Sequence, residues 1–107
     1  MGVDVARAVD LYAAARSGDV ERVRTLLPPC GDPVVDGPPD APGGVTPLMI
    51  AAASGHAAVV ELLLCCGADP ARRDARGRSA AFHARAAGHP GLAERLDTVV
   101  EKENTIW

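Results

Sequence analysis

Aromatic residues are nearly absent from this chain of 107 residues, which contains one Tyr, one Phe and one Trp. Nearly half of the residues are nonetheless hydrophobic, so a core would have to be built from Ala, Leu and Val. Small side chains let helices approach closely, whereas strands favour β-branched and aromatic residues. The composition therefore favours one domain of closely packed helices over a β-sandwich or a barrel.

An excess of positive charge is also missing, because 11 basic and 14 acidic residues give a formal net charge of −3. General nucleic-acid binding needs clustered cations that displace phosphate counterions. The longest apolar run, residues 59–66, contains Glu61 and is too short to span a bilayer, and the N-terminus lacks the pattern of a signal peptide. We therefore expect neither a nucleic-acid nor a membrane partner.

Metal-binding cysteine patterns are absent as well. The three cysteines are Cys30, Cys65 and Cys66, with no C-x-x-C spacing. Adjacent residues on a helix point about 100° apart, which disfavours a shared ion at Cys65 and Cys66. We expect no metal and no cofactor. An odd number of cysteines without a secretory signal indicates a reducing compartment, the cytoplasm or the nucleus.

Catalytic constellations are not found either. The chain has no Ser-His-Asp order, no glycine-rich phosphate loop and no paired catalytic carboxylates. Its histidines are His56, His83 and His89, and two of them recur in Gly-His pairs, which indicates a structural role. We therefore expect no catalytic residue and no enzymatic activity.

An internal repeat is what the chain does contain. Residues 44–51 read G-V-T-P-L-M-I-A, and residues 77–84, 33 positions later, read G-R-S-A-A-F-H-A. The pair Gly55-His56 recurs at the same offset as Gly88-His89. An earlier copy at 11–19 aligns with 48–56 at an offset of 37, and the extra residues fall in a loop rich in Pro, Gly and Asp at 28–45.

Local signals place helix ends within the repeat. Thr46 is a suitable N-cap, Pro47 suits the first helical position, and Gly55 can end the helix in a left-handed conformation. In the third copy Ser79 can replace Thr46 as the cap. Leu63 recurs as a leucine in the following repeat and is expected in the core.

The central repeat closely resembles the ankyrin family. The residues that carry the resemblance are G-V-T-P-L-M-I-A-A-A-S-G-H at 44–56 and V-V-E-L-L-L-C-C-G-A-D at 59–69. The resemblance implies an all-α fold, a short solenoid of helix-turn-helix units with projecting turns. We expect a single domain at 1–100, with repeats at roughly 6–43, 44–76 and 77–100. A flexible polar tail is expected at 101–107.

The ankyrin resemblance also implies a function. It indicates a monomeric, non-catalytic module for protein–protein interaction, an adaptor or an inhibitor that binds a partner protein through its turns and its concave helical face. One alternative is a fragment or short isoform of a larger ankyrin protein, with a mainly structural role. A thiol-based redox protein is the other alternative.

The turn after the central repeat is the most distinctive surface feature. It carries four arginines between 72 and 78, whereas the preceding turn carries only acidic charges, Asp32, Asp36 and Asp40. We expect these arginines to reach solvent and to serve recognition, because exposed ion pairs with Asp69 or Asp74 would add only ~0–1 kcal/mol each. The alternatives are an ordinary solvated turn and a site on the concave helical face. The candidate partner-binding residues are Arg72, Arg73, Arg76 and Arg78 in the turn, and Met49, Ala53 and Phe82 on that face.

Overall fold

The computed structural model describes residues 5–27, 35 and 42–104, and its regular structure is helical. The helices form three consecutive pairs, in which α1 packs on α2, α3 on α4 and α5 on α6. The first helices of the pairs also stack on one another in chain order, α1 on α3 and α3 on α5. The predicted all-α repeat architecture is confirmed. The six helices are α1 (Val5–Ser17), α2 (Val20–Leu26), α3 (Pro47–Ser54), α4 (Ala57–Cys65), α5 (Ala80–Ala86) and α6 (Pro90–Asn104).

The first helices of the second and third repeats begin at hydroxyl caps. The Oγ1 atom of Thr46 accepts a hydrogen bond from the backbone N–H of Met49 at 3.2 Å, and Pro47 takes the first helical position. The backbone N–H of Thr46 faces the Met49 sulfur at 3.5 Å. Ser79 caps α5 in the same way, with its Oγ atom 3.3 Å from the N–H of Phe82. These are the predicted caps.

Glycine and histidine side by side in the sequence link neighbouring repeats in space. Gly55 ends α3 with φ at 76°, and the ring of His89 from the next repeat lies so close that a Cβ added to Gly55 would be 2.6 Å from its Cε1 atom. The ring of His56 covers Gly18 equally closely, and its Nε2 atom lies 3.0 Å from the carbonyl oxygen of Arg16. Each ring therefore packs against the glycine that ends the preceding repeat's first helix, which agrees with the structural role predicted for these histidines.

The core consists of small and aliphatic side chains, as the composition predicted. Ala15 and Ala52 occupy equivalent positions in consecutive repeats, and both are fully buried. An alanine at such a position lets the next helix approach closely. The larger buried side chains include Val23, Leu48, Val59, Val60, Leu63 and Leu96.

The third repeat ends differently from the second. Glycine at 67 follows α4 with φ at 96°, but the equivalent position in α6 is Val100, and α6 continues to Asn104. Residues 101–104 therefore extend the helix beyond the predicted domain end at 100, because nothing there interrupts helical backbone. The rest of the expected tail, 105–107, lies outside the described residues.

Most of the expected loop at 28–45 also lies outside the described residues. Within it, the side chain of Val35 is buried in the core. Across the part of the chain that the structure describes, the helices are too short or too polar to cross a membrane.

Leu63→Ala should cost about 2–5 kcal/mol of unfolding free energy, because the side chain is fully buried and its removal leaves a cavity. Leu64→Ala is the matched control, because Leu64 is next in the chain and its side chain is only partly buried. Urea denaturation followed by circular dichroism measures both. Equal losses in the two variants would show that Leu63 is not a core residue.

The packing of His89 on Gly55 can be isolated with a second glycine. Gly55 and Gly77 share a left-handed backbone, with φ at 76° and 78°, but nothing lies within 4 Å of a Cβ added at Gly77. Alanine at either position carries a backbone cost of about 1–2 kcal/mol. Gly55→Ala should lose a further ~1–3 kcal/mol, because the His89 ring has to move. Thermal melts of both variants test this, and matching melting temperatures would contradict it.

Candidate partner-binding site

The arginine-rich turn folds back on itself as a tight hairpin, which we call the basic finger and define as residues 72–79. Its two arms meet where the N–H of Asp74 donates to the carbonyl oxygen of Arg78 at 3.0 Å. The N–H of Gly77 closes the tip on the carbonyl oxygen of Asp74 at 2.9 Å. Arg73 and Ser79 form an antiparallel bridge at the base. The finger therefore has a defined backbone shape.

The finger also docks on the turn that precedes the second repeat. The N–H of Ala75 donates to the carbonyl oxygen of Gly43 at 2.8 Å. At the neighbouring Gly44, φ is 66°, and an added Cβ would lie 3.0 Å from the nitrogen of Ala75. Glycine is thus required there both by the left-handed backbone and by the close approach of the finger. Successive turns of the array hold each other through their backbones.

A buried carboxylate organises the finger from inside. The side chain of Asp74 is only 1% exposed. Its Oδ1 atom accepts hydrogen bonds from the backbone N–H groups of Arg76 and Arg78, both at 2.9 Å. Its Oδ2 atom accepts from Nε of Arg78 at 2.9 Å and lies 3.0 Å from Nε2 of His83. Asp74 therefore ties both arms of the finger to α5.

These hydrogen bonds lower the pKa of Asp74 well below the ordinary value of 3.8. The largest cause is the backbone N–H of Arg78, followed among the favourable contacts by the N–H of Arg76 and the side chains of His83 and Arg78. Burial acts in the opposite direction, because it disfavours the charged form, but the donors outweigh it. The carboxylate is ionised in the folded protein at neutral pH.

Arg78 has a structural role that the sequence did not predict. We expected Asp74 to form an exposed ion pair at most, and this expectation is wrong, because Asp74 is buried and the side chain of Arg78 is only 36% exposed above it. The spacing of the arginines shows that they share a turn. It does not show that the turn folds back around one of its own carboxylates.

The other three arginines of the finger lie on the surface. Arg72, Arg73 and Arg76 are exposed. Arg73 donates one hydrogen bond, from Nη1 to the carbonyl oxygen of Gly77 at 3.0 Å. The guanidinium of Arg76 makes no hydrogen bond or ion pair with the residues that the structure describes, although its backbone is held by Asp74. The exposed charge thus sits on a fixed backbone.

The three candidate residues on the first helices differ in exposure. Met49 is only 1% exposed, so it cannot contact a partner directly, and the expectation that it contributes to a surface site is wrong. Ala53 is partly exposed, and Phe82 is 48% exposed. Tyr12, Met49 and Phe82 occupy equivalent repeat positions. The hydroxyl of Tyr12 donates to the carbonyl oxygen of Val45 in the next repeat.

That shared position explains the difference. Tyr12 is hydrogen-bonded to the following repeat and Met49 is buried, whereas Phe82 belongs to the last helix pair that the structure describes. The repeat register would have identified Met49 as buried only in combination with the stacking order of the helices. It would not have identified the hydrogen bond between Asp74 and His83.

The thiols and metal ligands offer no second site in the described residues. Cys65 is exposed and Cys66 is buried, as expected for neighbouring positions at the end of a packed helix. Within residues 5–27, 35 and 42–104 no group of three or more His, Cys, Asp or Glu side chains is arranged to hold a metal ion. Cys30 lies outside that part of the chain.

The lowered pKa of Asp74 predicts an acid-dependent loss of stability. A depressed carboxyl pKa contributes stability above the unfolded value of 3.8, and the contribution is lost as the pH falls below it. Asp74→Asn should therefore lower the melting temperature at neutral pH, and the difference from wild type should shrink below about pH 4. The exposed Glu94→Gln is the control. A difference that stays constant between neutral and acidic pH would contradict this role of the carboxylate.

Comparison with known proteins agrees with the fold. A family model described as ankyrin repeats in three copies matches residues 11–74. Human ARF GTPase-activating protein GIT1 is 41% identical over 86 residues, which cover 80% of this chain and 11% of that protein. The mouse protein GIT2 is 37% identical over the same length, covering 80% of this chain and 12% of that protein. Human tRNA endonuclease ANKZF1 is 47% identical over 72 residues, 64% of this chain and 10% of that protein.

These relatives are much longer proteins, and the chain spans about a tenth of the length of each. Their activities are therefore not transferred by the match. Ankyrin repeats in general are non-catalytic modules that bind other proteins. The family match covers more than half of the chain, and the helices described above form consecutive pairs, as expected for ankyrin repeats. This chain belongs to the ankyrin-repeat family.

Proposed function

We propose that this chain is a non-catalytic adaptor or inhibitor module that binds a partner protein through the basic finger. The observation that carries the proposal is the contrast within the finger. A buried carboxylate fixes its backbone, while the side chains of Arg72, Arg73 and Arg76 remain on the surface. A charged loop that is already ordered loses little conformational entropy when a partner docks on it.

The charges of the finger suit recognition better than stability. Exposed ion pairs add about 0–1 kcal/mol each, and Arg76 does not form one with the described residues. Charged groups at the rim of an interface instead set its orientation and its rate of association. Ala53 and the half-exposed Phe82 offer apolar surface on the first helices, so the proposed site extends from the finger towards α5.

A second role is favoured by the length of the relatives. The matched segment is about a tenth of each relative, so the same module can serve as one part of a larger protein. Both roles predict the same fold. In this second role the partner surface belongs to the same polypeptide, whereas an adaptor or inhibitor binds a separate protein. The redox alternative has less support, because Cys66 is buried and leaves Cys65 as the exposed thiol of the pair.

The setting is part of the proposal. We infer a monomer in the cytoplasm or the nucleus, with a protein partner and neither nucleic acid nor membrane as its target. The odd number of cysteines and the net charge of −3 support this setting.

The double variant Arg73→Glu with Arg76→Glu should abolish partner binding without unfolding the chain, because both side chains are exposed. The matched control is Arg22→Glu with Arg24→Glu, which reverses two exposed arginines on α2. Quantitative affinity capture from cell lysate on the immobilised wild type and both variants measures the effect. Recovery of the captured proteins should fall by about tenfold or more in the finger variant, because two charge reversals turn attraction for the partner into repulsion.

The control variant should capture the same proteins as wild type, and circular dichroism should show that all three chains are equally helical. Equal capture by the finger variant and wild type would exclude the finger as the binding site. Capture by wild type no greater than by uncoated beads would overturn the proposed function as a whole.

A further inference from the structure

The finger lies in a basic segment of an otherwise acidic chain. Between residues 69 and 89 there are five arginines and two aspartates, a formal charge of +3, whereas the whole chain carries −3. One of the two aspartates is Asp74, whose charge is buried and fully engaged inside the finger. Arg78 is engaged by Asp74 and Arg85 pairs with Asp97, so the exposed arginines of the finger, Arg72, Arg73 and Arg76, supply the positive charge that attracts acidic groups.

The arginines are spaced for an extended ligand. Arg73 and Arg76 are three residues apart, so their Cα atoms are separated by at most about 10.5 Å. In an extended peptide, side chains two residues apart lie on the same face at a spacing of about 6.6 Å. Carboxylates at that spacing can be contacted together by two arginines this close in the chain, because both side chains are long and exposed. Guanidinium groups bind carboxylates in a geometry that allows two parallel hydrogen bonds.

Phe82 supplies an exposed apolar side chain in the first turn of α5, the helix that directly follows the finger. It lies four residues after Arg78, so their Cα atoms are at most about 14 Å apart. Its ring is 48% exposed, whereas at the equivalent repeat positions Met49 is buried and Tyr12 is hydrogen-bonded to the next repeat. An aromatic side chain of this kind is a favourable contact for one apolar side chain of a partner.

We infer that this surface binds an extended acidic segment of a partner protein, with carboxylates on Arg73 and Arg76 and one apolar side chain on Phe82. The inference rests on the proposed function and adds the chemistry of the partner to it. A nucleic acid fits less well, because the rest of the chain is acidic and repels a phosphate backbone. A single phosphate ion would leave Phe82 without a contact.

Short synthetic peptides test the chemistry directly. The first peptide alternates glutamate with neutral residues and carries one leucine, the second replaces every glutamate by glutamine, and the third replaces the leucine by serine. Fluorescence anisotropy with the full chain measures their affinities. The glutamate peptide should bind, the glutamine peptide should bind at least about tenfold more weakly, and added salt should weaken the glutamate peptide.

Variants of the protein locate the binding. Arg73→Glu with Arg76→Glu should weaken the glutamate peptide by about tenfold or more, whereas Arg22→Glu with Arg24→Glu should not. Phe82→Ala should weaken the leucine-containing peptide by about fivefold and leave the serine peptide unchanged. Val9→Ala is its control, because Val9 is a 59% exposed apolar residue of the first repeat.

Each contrary outcome overturns the inference in a recognisable way. Equal binding of the glutamate and glutamine peptides would exclude acidic recognition, and equal effects of Phe82→Ala and Val9→Ala would exclude the apolar contact. Stronger binding of a duplex oligonucleotide or of inorganic phosphate than of the glutamate peptide would identify a different ligand. If lysate capture depends on the finger but no acidic peptide binds, the proposed function stands and only the partner chemistry is wrong.

Discussion

The buried carboxylate of Asp74 is the contact on which the surface architecture of this protein depends. Its side chain accepts two hydrogen bonds from backbone N–H groups within its own hairpin. It also accepts one from the side chain of Arg78 and one from the ring of His83 on the next helix. Burying an ionised group is unfavourable unless its hydrogen-bonding capacity is filled, and here it is filled. The same carboxylate shapes the hairpin and attaches it to α5, so the finger is anchored to the helical stack.

The stack itself is held by contacts between neighbouring repeats. The imidazole rings of His56 and His89 pack on Gly18 and Gly55, whose left-handed backbone favours glycine. Buried alanines at the helix contacts allow the first helices to lie close together. These contacts and the docked turns all join adjacent repeats, so each unit is stabilised mainly by its neighbours. On the second helices, Arg95 of α6 binds Glu61 of α4 through hydrogen bonds of 2.7 and 2.9 Å.

What could be predicted from the sequence followed from local chemistry and periodicity. The caps at Thr46 and Ser79, the left-handed Gly55 and the buried Leu63 are properties of short motifs repeated at a fixed distance. The errors concern contacts between segments. Arg78 was assigned to the surface because spacing alone does not show that the hairpin folds back onto Asp74. Met49 was assigned there because spacing alone does not show that its side chain is buried. α6 extends further than α4 because Val100 stands where α4 is followed by Gly67.

Arg85 of α5 and Asp97 of α6 form a half-exposed ion pair 2.8 Å long in the third repeat. Repeats that stack in one register bury the same residue position against each following repeat. At the position where the first two repeats present a buried alanine to the next unit, the third presents a hydrated ion pair. Another repeat stacked in the same register would have to strip water from both charges. The cost of desolvating two charges at this one position therefore distinguishes the third repeat from the first two.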